Sequence, residues 1–262
     1  MTTLSTPTSP SDAATAARVL VVVHEDDSGL GRLDPYLRER LGPACIDDRH
    51  PGSGDELPAD LSGHDAVVVL GGVMAAWEDD VAPWLPGTRA LLAEAVDRGV
   101  PALGICLGFQ LLAMATGGRA ERGTHGLEIG YVEVDLLPAA ADDALLGAVH
   151  AEAGPRIGVA HWHQDTVTEL PPGAVPLATG QRYARQAFRL GERAWGVQYH
   201  PEVTAADYES WLVGGHGTVV GAGLHPDDLR PALAAGEESL ARVARTHAVA
   251  FADVVAAYVA RR

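Results

Sequence analysis

Two short stretches of this sequence carry side chains of the types that do covalent chemistry. In the first, Leu103-Gly104-Ile105-Cys106-Leu107-Gly108, a cysteine stands between two glycines where an apolar strand-like run gives way to an amphipathic helix-like run. A sharp strand-to-helix turn of this form holds one side chain at the carboxyl edge of a sheet, as the nucleophile elbow of serine enzymes does. Glycines flank such a turn because a Cβ at either position clashes or forbids the backbone angles. The sulfur then sits near a helix N-terminus, whose partial positive charge favours thiolate over thiol. A thiolate nucleophile needs a proton shuttle, and the shuttle needs an orienting acid. The second stretch, Trp195-Gly196-Val197-Gln198-Tyr199-His200-Pro201-Glu202, supplies both in its last three residues. It reads as a strand that ends at His200, with Pro201 rigidifying the turn that lets Glu202 reach back to the imidazole. Taken singly, each stretch has a plainer reading, Cys106 as a small buried hydrophobe and His-x-Glu as a surface turn.

A third pattern, His161-Trp162-His163-Gln164-Asp165, places His161, His163 and Asp165 on one face of a strand. That alternation also suits a metal site. The next residue is Thr166 rather than a further His, no other ligand cluster is apparent in the sequence, and no metal is assigned.

The elements that must position these groups are legible as alternating runs. Arg18–Val23, Asp65–Gly72 and Gly99–Ile105 are apolar at consecutive positions, as strands covered on both faces are. Helical patterns fall between them over Leu33–Leu41 and Leu85–Gly99, the second with Leu91, Leu92, Ala95 and Val96 as its apolar face and Gly99 as its stop. Strands alternating with helices predict a parallel α/β sheet. From Leu127 onward short β-rich pieces are separated by Gly and Pro turns. The chain ends in helices, one over Thr204–Val213 and a longer one from about Glu237 to Ala260. Leu240, Val243, His247, Phe251, Val254 and Tyr258 recur there at helical spacing, a core stripe in which His247 reads as structural.

Composition bounds the rest. The 262 residues are 47% hydrophobic and 21% charged, which predicts a packed core rather than disorder. The 19 basic residues against 35 acidic ones give a formal charge of −16, which argues against nucleic acid or an anionic membrane as partner. Two cysteines make no disulfide framework, and no run of about 18 apolar residues indicates a membrane span. Residues 1–17, rich in Thr, Ser, Ala and Pro, lack the features of a secretory signal and read as a disordered tail. These features favour the cytoplasm.

The combination resembles the class I (triad-type) glutamine amidotransferases, and most closely the stand-alone members similar to the glutaminase domain of GMP synthase. The matching pieces run from about Arg18 to Thr204. The resemblance implies a three-layer, flavodoxin-like α/β domain over residues 18–262. Its central sheet is mostly parallel with helices on both faces, added antiparallel strands, and a C-terminal helical extension over about 205–262. It implies that Cys106 attacks the carboxamide carbon of glutamine or another γ-glutamyl compound, that His200 carries the proton, and that Glu202 orients His200. The backbone N–H groups of Gly72 and Leu107 are the implied oxyanion hole, and Gln110, Trp162, His163 and Asp165 the implied substrate-binding residues. No cofactor is implied. Val73 and Gln164 stand where many relatives carry Pro and Gly, and both substitutions bear on the substrate pocket.

Ammonia released from glutamine would serve a separate synthetase, since no Gly-x-x-x-x-Gly-Lys-Ser/Thr phosphate loop is present. Two alternatives stay open: a γ-glutamyl hydrolase acting on a γ-glutamyl amine or peptide without a partner, and a catalytically degenerate binding module.

Overall fold

The computed structural model describes residues 17–26 and 28–262. The tail expected over residues 1–17 lies outside them except for Ala17, which is buried in the core. Consecutive apolar residues become the middle of a sheet because each strand feeds two cores. The first strands are β1 (Val19–Val22), β2 (Ile46–Arg49), β3 (Ala66–Val69) and β4 (Ala102–Ile105). The later ones are β5 (Arg119–Arg122), β6 (Glu128–Leu136), β7 (Arg156–His163), β8 (Asp165–Glu169), β9 (Val175–Thr179), β10 (Ala187–Leu190) and β11 (Ala194–Val197). Nine of them form one sheet in the order β2-β1-β3-β4-β11-β10-β9-β6-β7, while β5 and β8 pair separately. The run from β2 to β11 is parallel and the remainder antiparallel, the mixed architecture expected.

Seven helices accompany the sheet among the described residues: α1 (Asp34–Leu41), α2 (Leu85–Arg98), α3 (Leu107–Ala115), α4 (Leu146–Ala153), α5 (Ala205–Gly214), α6 (His216–Gly221) and α7 (Pro226–Val259). Val19, Val21, Val68, Leu103 and Ile105 point into a core shared with α1, α4 and α7; Leu20, Val22, Val67 and Val69 point into one shared with α2 and α3. Each fully buried large side chain there, Trp195, Phe109 and Phe251 among them, contributes on the order of 1.5–3 kcal/mol. A third cluster, with Ile129, Tyr208, Leu212, Val219 and Leu240, seats α5, α6 and the first half of α7 beside β6 and β7.

Gly99 closes α2 in the left-handed conformation, φ 65°. Thr204 and Asp207 form a reciprocal capping box that fixes where α5 begins. Helix α7 starts at Pro226 rather than near Glu237. Pro231 and Gly236 interrupt its sequence pattern, yet Leu229 and Leu233 pack into the third cluster and hold the segment helical. Strand β2 carries Ile-Asp-Asp-Arg at the sheet edge, where polar side chains blunt further pairing. No helix among the described residues is long and apolar enough to cross a membrane.

Candidate active site

The turn between β4 and α3 gives Cys106 φ 52° and ψ −101°, the one positive φ at a non-glycine residue among the described residues. Such a conformation costs on the order of 1–3 kcal/mol and persists only where the surroundings impose it. They do so here through two glycines. A Cβ on Gly104 would lie 2.3 Å from the Gly108 carbonyl oxygen, and one on Gly108 would lie 2.1 Å from that of Val69. The chain therefore turns as sharply as the sequence pattern demands.

Strand β11 lies beside β4 in parallel register, so both deliver their carboxyl ends to the same edge of the sheet. That is how Cys106 and His200, 94 positions apart in the chain (200 − 106), come together. The two side chains are neighbours beside Gly71, and the sulfur acts on the charge of the imidazole. Nδ1 of His200 lies 2.6 Å from Oε1 of Glu202, which leaves Nε2 as the ring nitrogen available to the sulfur. Burial alone would lower the pKa of His200, but the carboxylate of Glu202 and the sulfur of Cys106 outweigh it and push it up to about 10. The imidazole is thus held as the cation at neutral pH.

Cys106 is 6% exposed. Its Sγ accepts from Nε2 of Gln198 at 3.7 Å and lies 3.9 Å from the carbonyl oxygen of Trp162. Gly71 and Gly72 close the other side. A Cβ on Gly71 would stand 3.0 Å from Cε1 of His200, and one on Gly72 would stand 3.0 Å from the Leu107 side chain. Gly72, on the loop after β3, and Leu107, at the start of α3, thus meet beside Cys106 in the lining of one cavity. The neighbouring Val73 is 88% exposed and sits at the cavity rim.

Cys106, His200, Gly71, Gly72 and Leu107 line a cavity of about 570 Å³ that also takes in Glu25, Met74, Arg122, Trp211 and Thr218. The expected substrate-binding residues border it in different ways. Gln110 is buried and donates from Nε2 to the Asp165 carbonyl at 2.9 Å and to Oε1 of Gln198 at 3.3 Å. Trp162 turns its carbonyl toward the sulfur while its ring packs on Tyr208 and Trp211. The ring of His163 is occupied at both nitrogens, by the Asp165 carbonyl and by Glu128, each at 3.0 Å. Asp165 pairs with Arg122 at 2.8 Å; burial raises its pKa against the opposing pull of that guanidinium. Gln164 ties its amide to the Gly123 carbonyl at 3.2 Å. His247 bonds Tyr199 at 2.9 Å deep in the core, a structural role as its spacing implied.

Three residues of the site's surroundings were not singled out from the sequence. Gln198 stands two positions before His200, and strand alternation was the available signal. Trp211, on α5, meets the His200 ring edge-on at a centroid distance of 4.9 Å. Glu128 joins His161 and His163 in a buried group of potential metal ligands within 4.8 Å of one another, with Asp165 outside it. The carboxylate that joins the two histidines thus comes from the neighbouring strand β6 rather than from Asp165.

A mixed sheet with cysteine, histidine and glutamate converging at its carboxyl edge defines an α/β protein of the cysteine-elbow class. Residues 47–213 match the model of the glutamine amidotransferase class-I family, and the chain belongs to that family. It is similar to the GMP synthase [glutamine-hydrolyzing] of Xanthomonas oryzae, 36% identical over 154 residues that cover 57% of this chain and 27% of the relative. The chain thus spans well under half the length of that relative. Among solved structures it resembles a glutamine amidotransferase from Thermotoga maritima, with TM-score 0.79 and 29% identity over 91% of this chain and 99% of that one. A glutamine amidotransferase from Methylobacillus flagellatus is similar with TM-score 0.75 and 27% identity, covering 90% of this chain and 94% of that one.

Proposed function

We propose that this chain hydrolyses the γ-carboxamide of glutamine through a γ-glutamyl thioester on Cys106 and releases ammonia for a separate synthetase. The observation that carries this reading is the contiguous Cys106–His200–Glu202 array opening on the cavity, with the His200–Glu202 contact at 2.6 Å. The Cys106 sulfur attacks the carboxamide carbon, and the carbonyl π electrons move to oxygen. Backbone N–H groups of Gly72 and Leu107 receive that oxyanion; one such donor lowers a barrier by about 3 kcal/mol. His200 gives its proton to the nitrogen, the C–N bond breaks and ammonia leaves. Neutral His200 then takes a proton from water as the water oxygen attacks the thioester carbon. The second tetrahedral intermediate expels the sulfur, which releases glutamate and restores the starting charges. The chemistry calls for no cofactor.

The experiment is to supply glutamine labelled with ¹⁵N at the amide and measure labelled ammonia and glutamate together, with mass spectrometry of the peptide containing Cys106 after a glutamine-like diazo-ketone. Stoichiometric release and an adduct on Cys106 support the proposal. Absence of both under conditions that label known glutaminases would favour the degenerate binding module.

The cavity size favours one alternative. At about 570 Å³ it falls in the range, about 300–1,000 Å³, that encloses drug-sized ligands, with room beyond the sulfur for more than an unsubstituted amide. A γ-glutamyl amine or peptide fits that space, and hydrolysis would then proceed by the same steps with an amine as leaving group. Faster turnover of such conjugates than of glutamine by the isolated chain would select this alternative.

A further inference from the structure

We propose that Glu128, His161 and His163 bind a divalent metal ion of the zinc class beneath the floor of the active-site cavity. Strands β6 and β7 set Glu128 directly opposite His163 and Gly130 opposite His161, so all three side chains lie on one face of the pair. Oε2 of Glu128 lies 3.0 Å from Nε2 of His163 and 3.5 Å from Nδ1 of His161. Two His and one carboxylate are a recurring zinc set, with bond lengths of about 2.0–2.2 Å that put tetrahedral ligand atoms about 3.4 Å apart.

Hydrogen bonding around the cluster calls for a cation. A carbonyl oxygen only accepts, so the 3.0 Å contact from His163 Nδ1 to the Asp165 carbonyl fixes the proton on Nδ1. Nε2 of the neutral ring then points its lone pair at the Glu128 carboxylate, acceptor against acceptor. An additional proton on His163 would relieve that one contact. It would leave His161, 0% exposed, with neither ring nitrogen hydrogen-bonded, and Gln186 with a buried, unpartnered Oε1. Three of the eight buried unpartnered side-chain atoms among the described residues thus belong to His161 and Gln186, which border Glu128. A cation held between the three ligands takes the lone pairs of both histidines at once.

The outer contacts match those of a metal site. The carbonyl of Asp165 orients His163, as second partners of metal-bound His do, and Nε2 of Gln186 donates to the Glu128 carboxylate at 2.8 Å. His163 borders the active-site cavity, which gives an ion a way in. Trp162 stands between the two histidines with its carbonyl 3.9 Å from the Cys106 sulfur. The ion would therefore pin the strand that forms the floor under the nucleophile, a positioning role rather than a chemical one.

The test is metal content of the full-length chain purified without chelators, followed by stripping and titration with Co²⁺ under visible absorption. The expected results are close to one zinc-class ion per chain, visible d–d bands on Co²⁺ binding, and a melting temperature that rises with added Zn²⁺. Glu128→Gln and His161→Ala should each weaken Co²⁺ binding at least tenfold, while Cys106→Ser should leave it unchanged. Metal-free protein that shows neither bands nor a melting shift overturns the proposal and leaves the cluster sharing a proton. Unchanged binding in Glu128→Gln overturns it as well. If the variants fail to fold, the wild-type titration decides alone.

Discussion

Gly31 stands against the backbone of Glu202 so closely that a Cβ on it would lie 2.2 Å from the Glu202 carbonyl oxygen. The next residue, Arg32, donates its backbone N–H to that same oxygen at 2.7 Å. The Arg32 side chain then reaches the Val203 carbonyl at 2.7 Å and the carboxylate of Glu237 on α7 at 2.8 Å. The turn that carries the candidate acid is thus held from outside by the loop ahead of α1 and, through one guanidinium, by the C-terminal helix.

That clamp makes Arg32 a positioning residue. Its guanidinium is largely buried, and it fixes the turn on which Glu202 sits. Arg32→Ala should lower kcat by about 100-fold, the scale expected when a catalytic group is misplaced by about 1 Å, with KM little changed. A merely structural role would lower the amount of folded enzyme without changing its pH profile. Loss of Glu202 support should instead move the alkaline limb of kcat to lower pH. An unshifted limb would show that the clamp does not act through His200.

The strain at Cys106 separates stability from activity. Both Cys and Ala pay the steric cost of φ 52°, whereas glycine does not. Cys106→Gly should therefore be more stable than Cys106→Ala by about 1 kcal/mol, read by chemical denaturation. Both variants should lose turnover by about 10⁶-fold, as removal of a triad nucleophile does. Wild-type turnover in either variant would end the thioester mechanism.

His200 also gives folding a pH dependence of known sign. Its pKa is raised in the folded chain from 6.5 to about 10, so the folded state binds the proton more tightly than the unfolded one. The stabilisation is complete below pH 6.5 and is lost as pH rises toward about 10. Unfolding free energy measured by denaturant at neutral pH and near pH 10 should fall across that window. Glu202→Gln removes a carboxylate that raises the pKa, and its slope over the same window should be shallower.

The sequence makes the chemistry legible where it compels the backbone. Gly104 and Gly108 announce the elbow because no other residue fits beneath Val69 and against each other, and apolar β1, β3 and β4 announce the sheet because both of their faces are buried. What escapes is whatever depends on partners far along the chain. Arg32 meets Glu237 across 205 positions, and Glu128 meets His163 only once β6 and β7 pair. Strand β2 and the start of α7 escape for a different reason, since their local residues contradict the element that tertiary packing imposes.

Gln198 is the remaining group whose effect is measurable in isolation. Its Nε2 donates to the Cys106 sulfur at 3.7 Å, and its Oε1 accepts from Gln110, which in turn donates to the Asp165 carbonyl. The sulfur in its attacking form is an anion, and a hydrogen bond to a charged group contributes about 1.5–3 kcal/mol. Gln198→Leu keeps the approximate volume of a buried side chain and removes both bonds. It also leaves Gln110 Nε2 with the Asp165 carbonyl as its remaining partner, so the fold should survive. The rate of Cys106 alkylation by iodoacetamide at neutral pH should then fall about tenfold, with the unfolding midpoint changed little. Equal alkylation rates in the two proteins would mean that His200 alone sustains the reactive sulfur.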